Sequence, residues 1–186
     1  MTADPPAISV ERATEFTARD LADLCDASES AILEGGGFGW LAPPPSKVLE
    51  RYWTGVLLVP EREVFVGRHG GVIAGSAQLV KPPRNNEAQA FAANTTTNFV
   101  APWARGHGLA RMLALAVEDA ARDQGYLALN LDVRETQDAA IALYESLGYV
   151  RWGTNPAYAV AGGRLIAGHF YTKYLAPLPE SGGDAA

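Results

Sequence analysis

Between residues 88 and 133 the sequence reads strand, helix, strand, and this order constrains the fold more than any other stretch. Leu109–Gln124 carries the clearest helical pattern: Leu109, Met112, Leu113, Ala116, Val117 and Ala120 recur at three- and four-residue spacing. Gly125 stands where a helix-ending glycine belongs. Ahead of the helix, Ala88–Val100 is rich in Thr and Phe and suits a strand with one polar face. Behind it, Tyr126–Val133 is almost continuously apolar, which predicts a central strand covered on both faces. A strand that rejoins its sheet through a helix enters parallel to its predecessor, with a right-handed crossover. The chain is therefore expected to be an α/β fold with at least one parallel pair.

The remaining segments supply further helices and hairpins. In Thr17–Ile32, Leu21, Leu24, Cys25, Ser28 and Ile32 form one apolar stripe, and Thr17 followed by Asp20 resembles an N-cap with an acidic first turn. Glu34–Leu41 holds four glycines and cannot be a stable helix. Pro43–Pro45 ends any local structure, and Ser46 is read as the cap of a second helix running to Val56. From Glu63 the period becomes two: Val64–Arg68 and Val72–Val80 flank the turn His69-Gly70-Gly71 as a hairpin. Gln137–Leu147 is helical, and Tyr149–Val160 with Arg164–Leu175 form a second hairpin around Ala161-Gly162-Gly163. The expected order is two helices, three strands, helix, strand, helix, two strands. The 186 residues show no repeat and no linker, so one domain is expected, with a folded core over about 8–175 and a frayed tail over 177–186.

Composition narrows the function classes. At 48% hydrophobic and 19% charged residues, disorder is not expected. The longest apolar runs, such as Val56–Pro60, are far too short to span a bilayer, so no membrane partner is expected. Met1–Pro6 has neither a basic nor an apolar leader pattern, and a cytoplasmic location is the default expectation. Cys25 is the single cysteine, which excludes an internal disulfide and a cysteine-based zinc site. His69, His107 and His169 are scattered without ligand spacing, so no metal is expected. The net charge of −6 argues against nucleic acid as a partner. All of that excess lies in residues 1–63, with 11 acidic against 5 basic side chains. It favours a cation if a charged partner enters there, although a solvated acidic helix explains it as well.

The segment with chemistry to offer is Val100-Ala101-Pro102-Trp103-Ala104-Arg105-Gly106-His107-Gly108-Leu109-Ala110. It joins a strand to a helix, and the first turn of a helix presents unpaired N–H groups that suit phosphate. A dinucleotide fingerprint needs a third glycine, yet Arg111 stands beyond Gly108, and a P-loop lysine is absent. A glycine loop that only turns the chain is the plain alternative. What decides against it is a second motif downstream: Leu131-Asp132-Val133, then Ala140-Ile141-x-Leu143-Tyr144-Glu145-x-Leu147-Gly148-Tyr149. Together the two motifs resemble the GNAT superfamily of N-acetyltransferases. Residues 149–173 (Tyr149-Val150-Arg151-x-Gly153, Gly163-Arg164-Leu165 and Phe170-Tyr171-x-Lys173) are similar to its tabtoxin-resistance branch of small-molecule acetyltransferases.

The resemblance implies a mixed, mostly antiparallel sheet of six or seven strands with a splayed parallel pair and about four helices. It implies acetyl-CoA as co-substrate, with its pyrophosphate on the amides of Arg105, Gly106, His107, Gly108, Leu109 and Ala110. The pantetheine arm would lie beside Phe99 and Val100, with Tyr144 near the sulfur as general acid. Gln137 stands where the family usually has Asn, which puts a pantetheine contact there in question. Many relatives carry a glutamate base on the strand before the loop, but Ala88–Val100 has no carboxylate. Asp132 matches a motif Asp of the tabtoxin-resistance branch, and the resemblance implies it as base, directly or through water; burial in an apolar strand without a partner or a function would be costly, and a carboxylate that pins neighbouring loop amides is the alternative. Glu87, Glu34 and His169 are weaker candidates for that role. Glu34, Phe38, Trp40, Trp103, Asp132 and His169 are the expected acceptor-binding residues. The expected activity is acetylation of a small amine, for instance an antibiotic or toxin such as an aminoglycoside, by direct transfer through a ternary complex. Acetylation of peptides or proteins, and a non-catalytic acyl-CoA-binding module, are the alternatives. Dimers are common in the superfamily, which keeps a homodimer among the expected partners.

Overall fold

The computed structural model describes residues 6–36 and 38–178. Residues 1–5, Gly37 of the glycine-rich loop and residues 179–186 of the expected tail lie outside the described residues. The elements in chain order are β1 (Ile8–Ala13), α1 (Ala18–Leu33), α2 (Ser46–Val56), β2 (Arg62–His69), β3 (Val72–Val80), β4 (Ala92–Val100), α3 (Leu109–Asp123), β5 (Ala128–Arg134), α4 (Asp138–Ser146), β6 (Val150–Ala161) and β7 (Arg164–Tyr174). The seven strands form one sheet in the order β1-β2-β3-β4-β5-β7-β6. Every neighbouring pair is antiparallel except β4 and β5, which run parallel as the crossover through α3 requires.

Local signals explain most boundaries. Thr17 caps α1 in a reciprocal box: its Oγ1 accepts from the Asp20 amide at 3.1 Å, and its own N–H donates to Asp20 Oδ2 at 3.1 Å. Two expectations are corrected. Ser46 does not cap α2; it is the first helical residue, and Pro45 occupies the cap position without a side-chain bond. A strand precedes the first helix where none was expected. β1 is a six-residue edge strand, Ile8–Ala13, in which Ile8 and Val10 pack against one core cluster and Ala13 against the other, so its alternation is too short to stand out.

Helices cover the sheet on two faces. On one side Leu113, Val117 and Ala121 of α3 pack with Phe65, Leu79 and Leu129. On the other, Leu24 and Ile32 of α1 and Trp53 of α2 pack with Val64, Val66, Ile73 and Phe99. The α1–α2 layer reaches β3 and β4 but leaves β5 uncovered on that side. Leu129, Leu131 and Val133 point into the α3–α4 core, whereas Asp132 and Arg134 point the other way. The expectation that Tyr126–Val133 is covered on both faces is therefore wrong at Asp132, which is exposed. Missing helical cover there makes room for a site.

Candidate active site

Parallel pairing between β4 and β5 stops early. It runs from Ala92↔Ala128 to Asn94↔Asn130, after which the strands diverge. The divergence coincides with a bulge in β4: between Ser76↔Phe99 and Gln78↔Thr96, β4 has one residue more than β3. Thr97 there has φ 51°, a left-handed conformation that is costly for a β-branched residue and that turns the end of β4 away from β5. The gap opens into a cleft of about 860 Å³. Its walls are Thr95–Asn98 from β4, Leu131–Arg134 from β5, Gln137, Ala140 and Tyr144 from α4, Phe38–Leu41 from the glycine-rich loop, Tyr52 from α2 and Tyr158–Val160 from β6.

At one end of β4 the chain enters α3 through the glycine loop. Gly108 is the N-cap, with φ 83° and no side-chain cap bond. Among the described residues, none of the amides from Gly106 to Arg111 donates to a protein acceptor. A Cβ added at Gly106 or Gly108 would meet nothing within 4 Å. Bare amides, open space and the positive end of a helix dipole together make an anion cradle. Val100 leads into it, and Arg105 folds back so that its Nε donates to the Val100 carbonyl at 3.2 Å. The residues present fit a pyrophosphate in the loop and an extended chain entering the splayed strands.

Tyr144 lies at the far side of the cleft, only 6% exposed. Asn98 Nδ2 donates to its phenol oxygen at 2.9 Å, which leaves the phenol proton free for another acceptor. Burial, aided by the Asp132 charge, pushes the phenol up to about 12 against the pull of Asn98. Tyr144 is thus protonated throughout the physiological range. Asp132 is exposed to the cleft rather than buried, which corrects the expectation that strand position alone would bury it. Its partner is Tyr158, whose hydroxyl donates to Oδ2. Burial, and then the bond to Asp132, push the Tyr158 phenol up to about 12, so it remains a donor.

Tyr158 reaches Asp132 because β7 has a glycine beneath it. A Cβ at Gly168 would fall inside the Tyr158 ring. Gly168→Ala is expected to displace Tyr158 and release Asp132, lowering kcat/KM by about tenfold with the fold retained; steady-state kinetics beside far-UV circular dichroism checks this.

The expected site residues are only partly brought together. Phe38, Trp40, Gln137, Asp132 and Tyr144 all line the cleft. Phe99 and Val100 end β4 and are buried, Phe99 within an aromatic cluster with Phe38 and Trp53. Gln137 Nε2 donates to the Gly35 carbonyl at 3.0 Å, so its side chain ties down the glycine-rich loop. Glu34 pairs with Arg105 at 3.2 Å outside the cleft wall. Trp103 is half-exposed beside His69, and Glu87 lies in a short helical turn after β3; neither lines the cleft. His169 pairs with Val133, placing it on the opposite face from Asp132, where Nδ1 contacts Thr154 Oγ1 at 3.0 Å. Asn98, Tyr158, Tyr52 and Arg134 are site-lining residues the sequence reading did not single out. Of these only Tyr158 had a local signal, the strand glycine at 168. No group of three or more His, Cys, Asp or Glu among the described residues is placed to hold a metal. No helix among them is long and apolar enough to cross a membrane.

Comparison with known proteins agrees with this fold. The sequence model of the acetyltransferase (GNAT) family matches residues 27–149. An N-acetyltransferase encoded in the hisH–hisA intergenic region of Azospirillum brasilense is 66% identical over 130 residues, covering 70% of this chain and 77% of that protein. The N-alpha-acetyltransferase RimI of Mycobacterium tuberculosis is 30% identical over 158 residues, 85% of this chain and 88% of its own. Among solved structures, the acetyltransferase yncA of Salmonella typhimurium, determined with acetyl-CoA, superposes with a TM-score of 0.75 at 21% identity, over 97% of this chain and 99% of that one.

Proposed function

The chain belongs to the acetyltransferase (GNAT) family and is an N-acetyltransferase of that type; from that premise we propose that it acetylates the primary amine of a small acceptor, with Asp132 as base and Tyr144 as acid. The observation that carries this reading is that the Tyr144 hydroxyl and the Asp132 carboxylate share the cleft opened by the splayed β4–β5 gap, and that the β4 wall of this cleft, Thr95–Asn98, runs on through Val100 to the bare-amide loop. Acetyl-CoA, when bound, supplies an activated acyl carbon and a sulfur leaving group. The loop from Arg105 to Ala110 would hold its pyrophosphate, and Phe99 and Val100 would border the arm.

The chain's own residues then have two proton tasks. An amine enters as an ammonium and must lose a proton before its nitrogen can attack; Asp132, open to the cleft, accepts it directly or through a water. The departing sulfur needs a donor, and Tyr144 has a phenol proton free because Asn98 occupies its oxygen from the other side. A proton shed by the newly acylated nitrogen restores the phenol. Tyr158 holds the Asp132 carboxylate in place.

The size of the cleft and the aromatic wall of Phe38, Trp40 and Tyr52 support a small acceptor. An aminoglycoside, favoured by the acidic N-terminal segment, has less support, because Asp132 is the one carboxylate on the described wall. The likeness to an N-alpha-acetyltransferase favours a peptide N-terminus as the second reading. Incubation with acetyl-CoA and a panel of aminoglycosides, polyamines, amino acids and short peptides, read by thiol release and product mass, separates them. Products among small amines support the first reading, and products only among peptides support the second. Asp132→Asn is expected to lower kcat by about a hundredfold while acetyl-CoA affinity changes little. An unchanged kcat would take the base role away from Asp132.

A further inference from the structure

Only two charged side chains line the described wall of the cleft, Asp132 and Arg134. They stand two positions apart on β5 and so share one face, separated by about 6.6 Å along the strand. Arg134 has no carboxylate partner among the described residues. Neutral carbonyls grip it instead: Nη1 donates to Gly35 O at 3.2 Å, and Nη2 donates to Phe38 O. Those bonds fix the planar guanidinium at the edge of the cleft and leave its charge uncancelled and other N–H donors uncommitted.

No acidic residue of the N-terminal segment lines the described wall of the cleft, and four of them are ion-paired elsewhere. Glu11 and Asp20 pair with Arg68, Glu63 with Arg12 and Lys81, and Glu34 with Arg105. The cleft therefore offers one negative group and, a strand step away, one positive group. A polycation would meet a single carboxylate and a repelling guanidinium. A molecule carrying an ammonium and an anionic group a few bonds apart would satisfy both.

We propose that the acceptor is a zwitterion of the amino-acid kind, its ammonium received by Asp132 and its carboxylate, or an equivalent oxyanion, by Arg134. This rests on the acetyl-transfer reading and narrows its substrate class. Arg134 is then the residue that sets acceptor specificity, while the glycine-rich loop holds it rigid.

The test compares free amino acids with their carboxamides and with the corresponding decarboxylated amines, using wild type, Arg134→Gln and Arg134→Lys. In wild type, kcat/KM is expected to favour the free acid by roughly tenfold or more. Arg134→Gln should abolish the preference by raising KM for the acid alone, with acetyl-CoA affinity unchanged. Arg134→Lys, which keeps the charge without the fork, should restore part of it. Equal turnover of acid and carboxamide by wild type overturns the proposal. So does an Arg134→Gln enzyme that loses activity toward all acceptors in equal measure, since that is what a loop-holding role alone produces. Wild type that binds acetyl-CoA yet acetylates no amine would sink the acetyl-transfer reading itself, an outcome separable from the other two.

Discussion

Gly108→Glu is expected to weaken acetyl-CoA binding by at least about a hundredfold, which amounts to losing one or two charge-assisted hydrogen bonds. The effect comes from two directions. Gly108 adopts φ 83°, where a side chain costs roughly 1–2 kcal/mol, and the space above it is open, so a new side chain would extend into the anion cradle. There a carboxylate would take the amides of the first turn for itself and repel a phosphate. The same carboxylate complements the helix dipole, so α3 should survive the change. Gly108→Asn separates the causes, because asparagine tolerates the left-handed conformation and carries no charge. Isothermal titration with acetyl-CoA should show binding nearly lost in the glutamate variant and largely kept in the asparagine variant. Equal losses in both would assign the effect to backbone strain and remove the anion cradle as its cause.

The bare-amide turn was legible in the sequence because a loop with free amides advertises itself by what it lacks. Gly106 and Gly108 ahead of the Leu109 helix, with no capping side chain between them, say that amides are left bare. The crossover and both hairpins were legible for a similar reason, being written in local periodicity and turn glycines. β1 was not, since a six-residue edge strand with three half-buried apolar residues has almost no pattern of its own. The acceptor wall was harder still. Asn98 reaches Tyr144 across 46 residues, Tyr158 reaches Asp132 across 26, and Arg134 reaches Phe38 across 96. Contacts of that kind depend on where a bulge and a missing helix leave space, and neither is written in any single segment. His169 illustrates the converse: two residues from Tyr171 and opposite Val133, it is set by strand parity on the face away from Asp132.

Tyr144→Phe is expected to reduce kcat by about a hundredfold while acetyl-CoA affinity changes little, because a positioned proton donor contributes roughly that much to the chemical step alone. The ring itself is buried and packs edge-on against Tyr149 at 5.3 Å between centroids, and phenylalanine keeps that packing. What is lost is one hydroxyl, its free proton and the acceptor for Asn98 Nδ2. An orphaned Asn98 amide borders the open cleft and can turn to water, so folding should be nearly unaffected. The pH profile gives a second reading. With its phenol pushed up to about 12, Tyr144 does not ionise in the working range, so wild type and variant should share the same alkaline behaviour up to that point. An alkaline limb that appears in wild type well below pH 12 and vanishes in the variant would contradict a phenol that stays protonated. A hundredfold loss of acetyl-CoA affinity with kcat intact would make Tyr144 a binding group and leave the sulfur without its donor. Single-turnover measurements at saturating acetyl-CoA decide between these, since they report the chemical step free of binding.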